Sequence, residues 1–277
     1  MPEFFFDPFA AVQLLAGTAA AIQTLEMLQL RIFYSDQGIW RWSILRDEFS
    51  GMAGPVQLLA SRIFSYGGFT GMLLLRLISA LLLIAAASGA AVIGGFLQAA
   101  VTCYLLLSTV AIAVRWRGTF NGGSDYMTIV IYTGLAIQAL FPQSETAALL
   151  CVYYIVIQLC SSYFIAGAVK VLSERWRDGT ALPAFTAASS YGPFQPLQTV
   201  LTHKRTALFL AWSIMLFELA FPLAVLNLSL CRILLVCGFA FHLSNAWLFG
   251  LNRFLFIWTA GYPFVYWLAL TGAGGRY

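Results

Sequence analysis

Charge is what this sequence has least of. Only 9% of its 277 residues are Asp, Glu, Lys or Arg, against 61% hydrophobic, and the mean hydropathy is +0.83. A water-facing surface needs far more charge than that, so a soluble fold is excluded. The 15 basic and 11 acidic residues leave a net charge of +4. The basic ones are scattered between apolar runs with no aromatic-interleaved stripe, and no nucleic-acid partner is expected. Histidine is confined to His203 and His242, too few for a multi-histidine metal cluster, and no metal is expected. Cys103, Cys151, Cys160, Cys231 and Cys237 all fall inside apolar runs without CxxC pairing and read as core residues. Neither a GxxxxGK phosphate loop nor a GxGxxG fingerprint is present, which argues against a nucleotide site. The opening MPEFFFDPFA is acidic where a signal peptide would be basic, and no small-residue cleavage site follows, so the first helix is expected to be retained.

What the chain has instead is long apolar runs. A bilayer core about 30 Å thick needs roughly 20 apolar residues per helix. That criterion places about eight spans, at Pro8–Leu30, Gly71–Ala87, Ala90–Val114, Asp125–Phe141, Thr146–Leu172, Thr206–Leu226, Leu228–Gly250 and Phe254–Leu270. The fold class expected is all-α, a polytopic transmembrane helix bundle over residues 1–277 with no separate soluble domain and the lipid bilayer as its surroundings. Residues 33–68 carry Trp40, Arg41, Trp42, Arg46, Asp47, Glu48 and Arg62 among apolar residues, which suits amphipathic pieces at the headgroup level. Residues 173–205 form a polar loop whose Pro183, Pro193 and Pro196 forbid one continuous helix.

An ionisable group in hydrocarbon costs about 2.5–3.5 kcal/mol on insertion scales, so each needs a partner or a task. The candidates are Glu26, Arg76, Asp125, Lys170, Glu218 and His242. Glu26 shares a helical face with Gln23 and reads as hydrogen-bonding glue between helices. Arg76 reads as a residue snorkelling toward headgroups. Tyr163, Gly167 and Lys170 follow at spacings of four and three, aligning a phenol, a bare backbone patch and an amine along one stripe. The glycine would let a helix or a ligand approach, and the lysine is either an interfacial anchor or, once desolvated, a neutral base. His242 and Asn245 are an i, i+3 pair, readable as core polar residues or as a binding pair. Glu218, four residues before Pro222, could cap amides freed by the proline.

These residues sit in stretches with a family resemblance. YFIAGAVKVLSERWRDGTAL, which carries Tyr163, Gly167, Lys170, Trp176 and Gly179, resembles the signature of the HTTM (horizontally transferred transmembrane) family, whose best-known members are the vitamin K-dependent gamma-glutamyl carboxylases. FHLSNAWLFGLNRFLFIWTAGYP, from Phe241 to Pro263, is similar to that family's histidine, asparagine and aromatic stretch. FELAFPLA around Glu218 and FNGGSDY, Phe120 to Tyr126, resemble its sixth span and the opening of its fourth. The resemblance covers roughly Arg115 to Pro263, with the first hundred residues similar by hydropathy alone.

The resemblance implies a mechanism in which a lysine at the end of the fifth span deprotonates a reduced, vitamin K-like quinone. Lys170 is the matching residue, with His242 and Glu218 beside it as catalytic candidates. Tyr163, Gly167, Trp176, Asn245, Asp125, Arg175 and Arg177 are the candidates for binding substrate. Where the carboxylases have a histidine at the start of the fourth span this chain has Gly123, Ser124 and Asp125, and it shows no counterpart of their large soluble domain. The expectation therefore moves from glutamate carboxylation toward quinone-linked or carboxylase-like chemistry on a secreted peptide. It includes a partner protein or peptide substrate and a bacterial inner-membrane location. Two other classes stand beside it: a non-catalytic membrane subunit scaffolding a peptide-maturation complex, and an anion transporter using Arg115, Arg117, Arg175, Arg177 and Arg205. No inverted repeat supports the transporter. The fourth to seventh spans are expected to enclose a polar cavity open toward residues 173–205.

Orientation divides the two lines of reasoning. With eight spans, Arg31, Arg41, Arg46, Arg62, Arg115, Arg117, Arg175, Arg177, Lys204, Arg205 and Arg253 all fall on one side, which the positive-inside rule makes cytoplasmic. The family places the lysine end of the fifth span outside. A cysteine introduced at Ser189 in a cysteine-free background decides between them: labelling by a membrane-impermeant reagent in intact cells upholds the family, and protection from it upholds the charge count.

Overall fold

The apolar runs fold as helix throughout. The computed structural model describes residues 7–116, 123–187 and 195–273, and every regular element among them is helical. In chain order these are α1 (Pro8–Gln29), α2 (Arg31–Tyr34), α3 (Trp42–Leu45), α4 (Gly54–Phe64), α5 (Tyr66–Ala87), α6 (Gly95–Arg115), α7 (Ser124–Leu140) and α8 (Glu145–Leu172). Then follow α9 (Glu174–Arg177), α10 (Ala181–Ala187), α11 (Gln195–Leu201), α12 (Lys204–Ala220), α13 (Leu228–Phe249), α14 (Asn252–Thr259) and α15 (Tyr262–Ala273), with 3-10 turns at Arg46–Phe49 and Phe221–Val225. Arg117, the Phe120–Gly122 part of the fourth-span stretch, Ser189, Pro193 and Arg276 lie outside the described residues.

Among the described residues seven helical stretches are long and apolar enough to cross a bilayer: α1, α5, α6, α8, Lys204–Val225, α13 and Asn252–Gly272. The fourth expected span, α7, has 17 residues, which at 1.5 Å each gives about 25 Å, the short end of what reaches across hydrocarbon. Start and stop residues follow local chemistry. Asp7 caps α1 by accepting from the amides of Phe9 and Ala10 at 2.9 and 3.2 Å, and Asn227 caps α13 by accepting from Ser229 and Leu230 at 2.9 and 3.1 Å. Helix α5 begins at Tyr66 rather than Gly71 because Ser65 Oγ accepts from the Gly68 amide and caps it. The sixth span ends in a 3-10 turn at Pro222, as its proline demands. The last span differs from expectation: it is α14 and α15 with a break at Ala260–Gly261, since Pro263 lacks an amide and its ring would collide with the carbonyl of residue 259 in an unbroken helix.

The chain divides into two compact units, Gln13–Cys151 and Val152–Tyr277, the latter including the N-terminal residues through Val12. In the first unit, residues 33–68 fold as short helices whose Tyr34, Trp42, Phe49 and Phe64 bury their rings with Phe69 and Trp116. Their outer side exposes Ile39, Val56, Leu58 and Leu59 beside Arg41, Arg46 and Arg62, the mixture an interfacial segment needs. Arg115 fastens this layer to α6: its Nε donates to the Phe64 carbonyl at 3.1 Å and its guanidinium lies 5.5 Å from the centre of the Phe69 ring.

Arg76 does not snorkel. It is fully buried, and its Nη1 faces the Leu105 carbonyl at 2.8 Å, Ser108 Oγ at 2.6 Å and Thr109 Oγ1 at 2.9 Å, all on α6. Its Nη2 donates to Gln23 Oε1 at 3.1 Å, and Gln23 Nε2 donates in turn to Asp125 Oδ1 at 3.2 Å. One glutamine thus links a buried cation on α5 to a buried anion on α7 through α1. Gln23 is therefore committed to this network. In membranes such interhelical bonds contribute about 0.6 kcal/mol on average and up to about 1.7. Arg76→Met should accordingly destabilise the purified protein by about 2 kcal/mol and Ser108→Ala by less than half as much. An unchanged thermal midpoint for Arg76→Met in detergent would show that the network adds no stability.

Candidate functional site

The second unit gathers most of the candidate residues on α8, α12 and α13. The stripe of Tyr163, Gly167 and Lys170 on α8 lies against α12 along its whole length. A Cβ built on Gly167 would meet the Leu219 amide nitrogen at 2.9 Å and Glu218 Cβ at 3.0 Å, so what the glycine admits is the backbone of α12. That approach carries Glu218 to the lysine. Lys170 Nζ donates to both carboxylate oxygens of Glu218 at 2.7 Å, and its side chain is 21% exposed while that of Glu218 is 3% exposed. Glu218 is thus an ion-pair partner, and its carboxylate is not spent on amides freed at Pro222. The Lys170 ammonium also lies 5.3 Å from the centre of the Trp176 ring, and the last turn of a helix favours a cation.

Beside this pair is a cavity of about 340 Å³, within the usual range for small-molecule sites. All of its lining residues lie between Lys170 and Phe249, on α8 to α13, so α7 contributes none. Its walls are mostly apolar, with Leu182, Phe185, Leu210, Phe241 and Phe249 prominent, and the polar groups on it are Lys170, Thr186, Ser244 and Asn245. The expected polar enclosure is therefore a greasy chamber with few polar groups. Helices α10 and α11 roof it, contributing Leu182, Phe185, Thr186, Leu197 and Leu201.

His242 and Asn245 part company. Asn245 lines the cavity, and its Nδ2 donates to the Phe241 carbonyl at 2.9 Å. His242, 1% exposed, is not among the lining residues; its Nε2 is hydrogen-bonded to the hydroxyl of Tyr163. Tyr163 stacks on Phe221 at 3.9 Å between centroids, and its hydroxyl lies 2.7 Å from that of Tyr262. Trp258 stacks on His242 at 5.4 Å and Phe254 meets it edge-on at 4.9 Å. The reading of the sequence passed over Tyr262, Trp258 and Phe221. Trp258 and Tyr262 stand four apart in the aromatic stretch before Pro263, and that spacing was the available signal.

The remaining candidates have other engagements. Arg177 is exposed and caps α8, its Nη1 donating to the carbonyls of Val171 and Leu172 at 2.8 Å. Arg175 is exposed on α9. Asp178 accepts from the Thr180 hydroxyl at 2.7 Å and amide at 2.9 Å, which hold its carboxyl below the usual carboxylate range, and the Arg177 carbonyl accepts from Trp212 Nε1 at 3.2 Å. These contacts fix the loop onto α12. Asp125 belongs to the other unit and bonds Gln23.

The comparisons agree with the architecture. No curated protein and no solved structure matches the chain. Residues 135–267 match the family model of the HTTM domain, a segment that includes Tyr163, Lys170, Glu218, His242 and Tyr262. The chain is a multi-pass membrane protein whose residues 135–267 match the HTTM domain, the family its tyrosine-glycine-lysine and histidine-asparagine stretches resemble.

Proposed function

We propose that this chain is a membrane enzyme in which Lys170 is the base and the cavity beside it holds a lipophilic substrate or cofactor bearing an acidic hydroxyl. The observation that carries the reading is an amine held by both oxygens of a buried carboxylate at the wall of an otherwise apolar chamber. A buried pair of this kind costs desolvation and is weak evidence for stability, which favours a chemical task for it.

The lining fits a reduced quinone. Phe185, Phe241 and Phe249 suit a flat ring system, and the few polar groups on the wall suit its oxygens. When bound, such a group supplies a hydroxyl proton and two electrons. Lys170 and Glu218 share one proton. With it on Glu218, Lys170 Nζ would have a lone pair with which to take up a hydroxyl proton, and would become an ammonium beside the carboxylic acid. Trp176 shields that cation from water on one side. Asn245, its Nδ2 engaged, offers Oδ1 as an acceptor toward a second hydroxyl. The fuller form of the reading is a carboxylase-like lyase or quinone-linked oxidoreductase that matures a secreted peptide in a bacterial inner membrane with a partner protein. Its support is the resemblance of the HTTM segment.

Two measurements test it. Lys170→Arg keeps the charge and can still pair with Glu218, but a guanidinium does not give up its proton at any useful pH. Oxidation of a reduced naphthoquinone by the purified protein, with dissolved dioxygen as the two-electron acceptor, should fall at least ~100-fold with the thermal midpoint unchanged. An active Lys170→Arg variant would remove Lys170 as the base. Solvent extraction of the protein purified from its native membrane should release a quinone or similar lipid; a stoichiometric second protein with no such lipid would favour the scaffold subunit instead.

A further inference from the structure

Tyr262, Tyr163 and His242 form a buried chain of hydrogen bonds deep to the cavity wall. The three are 8%, 1% and 1% exposed, and they are enclosed by Phe221, Phe254 and Trp258. Phe241 separates them from the cavity: it lines the chamber and meets the His242 ring edge-on at 5.2 Å. Two nitrogens in this box, His242 Nδ1 and Trp258 Nε1, are buried with no hydrogen-bond partner. Orphaned buried donors are rare and call for a reason.

The direction of the chain follows from counting protons. A neutral imidazole has one N–H and one acceptor nitrogen, and a phenol has one O–H. If His242 donated from Nε2 to Tyr163, Tyr163 would donate to Tyr262, and the buried Tyr262 hydroxyl would be left with a proton and no acceptor. His242 Nδ1 would be a bare lone pair at the same time. In the opposite direction Tyr262 donates to Tyr163, Tyr163 donates to His242 Nε2, and both hydroxyl protons are satisfied. What remains is a single proton on Nδ1.

We propose that Tyr262 is a positioning residue: through Tyr163 it holds His242 in one tautomer, with Nε2 accepting and the proton on Nδ1. Gly238 is the device that allows it. A Cβ on that residue would collide with the Tyr262 hydroxyl, so only glycine leaves the phenol room to reach Tyr163. Gly238 stands four residues before His242 on α13, which puts the space and the imidazole on one face. The tautomer stands independently of the enzymatic reading.

Because the chain has two histidines and His203 is exposed, selective nitrogen-15 labelling of histidine in the full-length protein gives a spectrum with one buried ring. The expected result is a protonated Nδ1 and an unprotonated, hydrogen-bonded Nε2 for His242. A proton on Nε2 would overturn the proposal. Tyr262→Phe and Gly238→Ala remove the same hydroxyl from the chain by different routes, and either one, folded by its thermal midpoint, should convert the single tautomer to a mixture. A folded variant with unchanged His242 signals would also overturn it. The ligand-free spectra hold whatever Lys170→Arg does, so the tautomer and the lysine's role as base can fail separately.

Discussion

The hydrocarbon interior offers no water to a polar group, and this constraint orders the molecule. Any charge placed there must find its partner on another helix, so each buried ion dictates which helices meet and at what register. Arg76 and Asp125 meet it through Gln23, and Lys170 meets it directly with Glu218. The first arrangement spreads the charge over hydroxyls and a carbonyl. In the second the lysine lines a chamber. The same constraint thus yields a structural network in one unit and a candidate reaction centre in the other.

Around Lys170 the packing is as specific as the charge. Gly167 brings α12 within van der Waals contact of α8, and only that separation lets Glu218 offer both oxygens to one amine. Trp176 and Arg177 then hold the chain at the end of α8, and α10 and α11, which roof the chamber, follow in sequence. The aromatic box behind it depends on the break at Ala260–Gly261, where the proline-imposed turn joins the helices carrying Trp258 and Tyr262.

Much of the fold was legible because hydropathy is a local property. The long apolar runs, and the helices they form, follow from residues read in order. Helix ends shifted where a side chain outside the run acted as a cap, as Ser65 does for α5, and the final span broke where Pro263 outweighed a continuous apolar pattern. The stripe of Tyr163, Gly167 and Lys170 was visible because helical spacing fixes which side chains share a face. The match over residues 135–267 takes in the stretches around Tyr163, Glu218 and His242 that carried the family resemblance and begins after the one at Phe120 to Tyr126.

Partnership was not legible in this way. Periodicity places Glu218 on a face of its helix, but that the face meets Lys170 at 2.7 Å is a fact about two helices 48 residues apart. For the same reason Arg76 reads as a snorkelling residue in sequence and as a buried hub in the fold, and Tyr262 is unremarked in sequence yet completes a chain with Tyr163 and His242. The sequence by itself determined that this is a helical membrane protein and where its polar residues stand along each span. Only the tertiary structure decided which of those residues pair, which line the chamber and which are sealed behind it, because hydrogen bonds and ion pairs between helices depend on register and crossing geometry that no single helix contains.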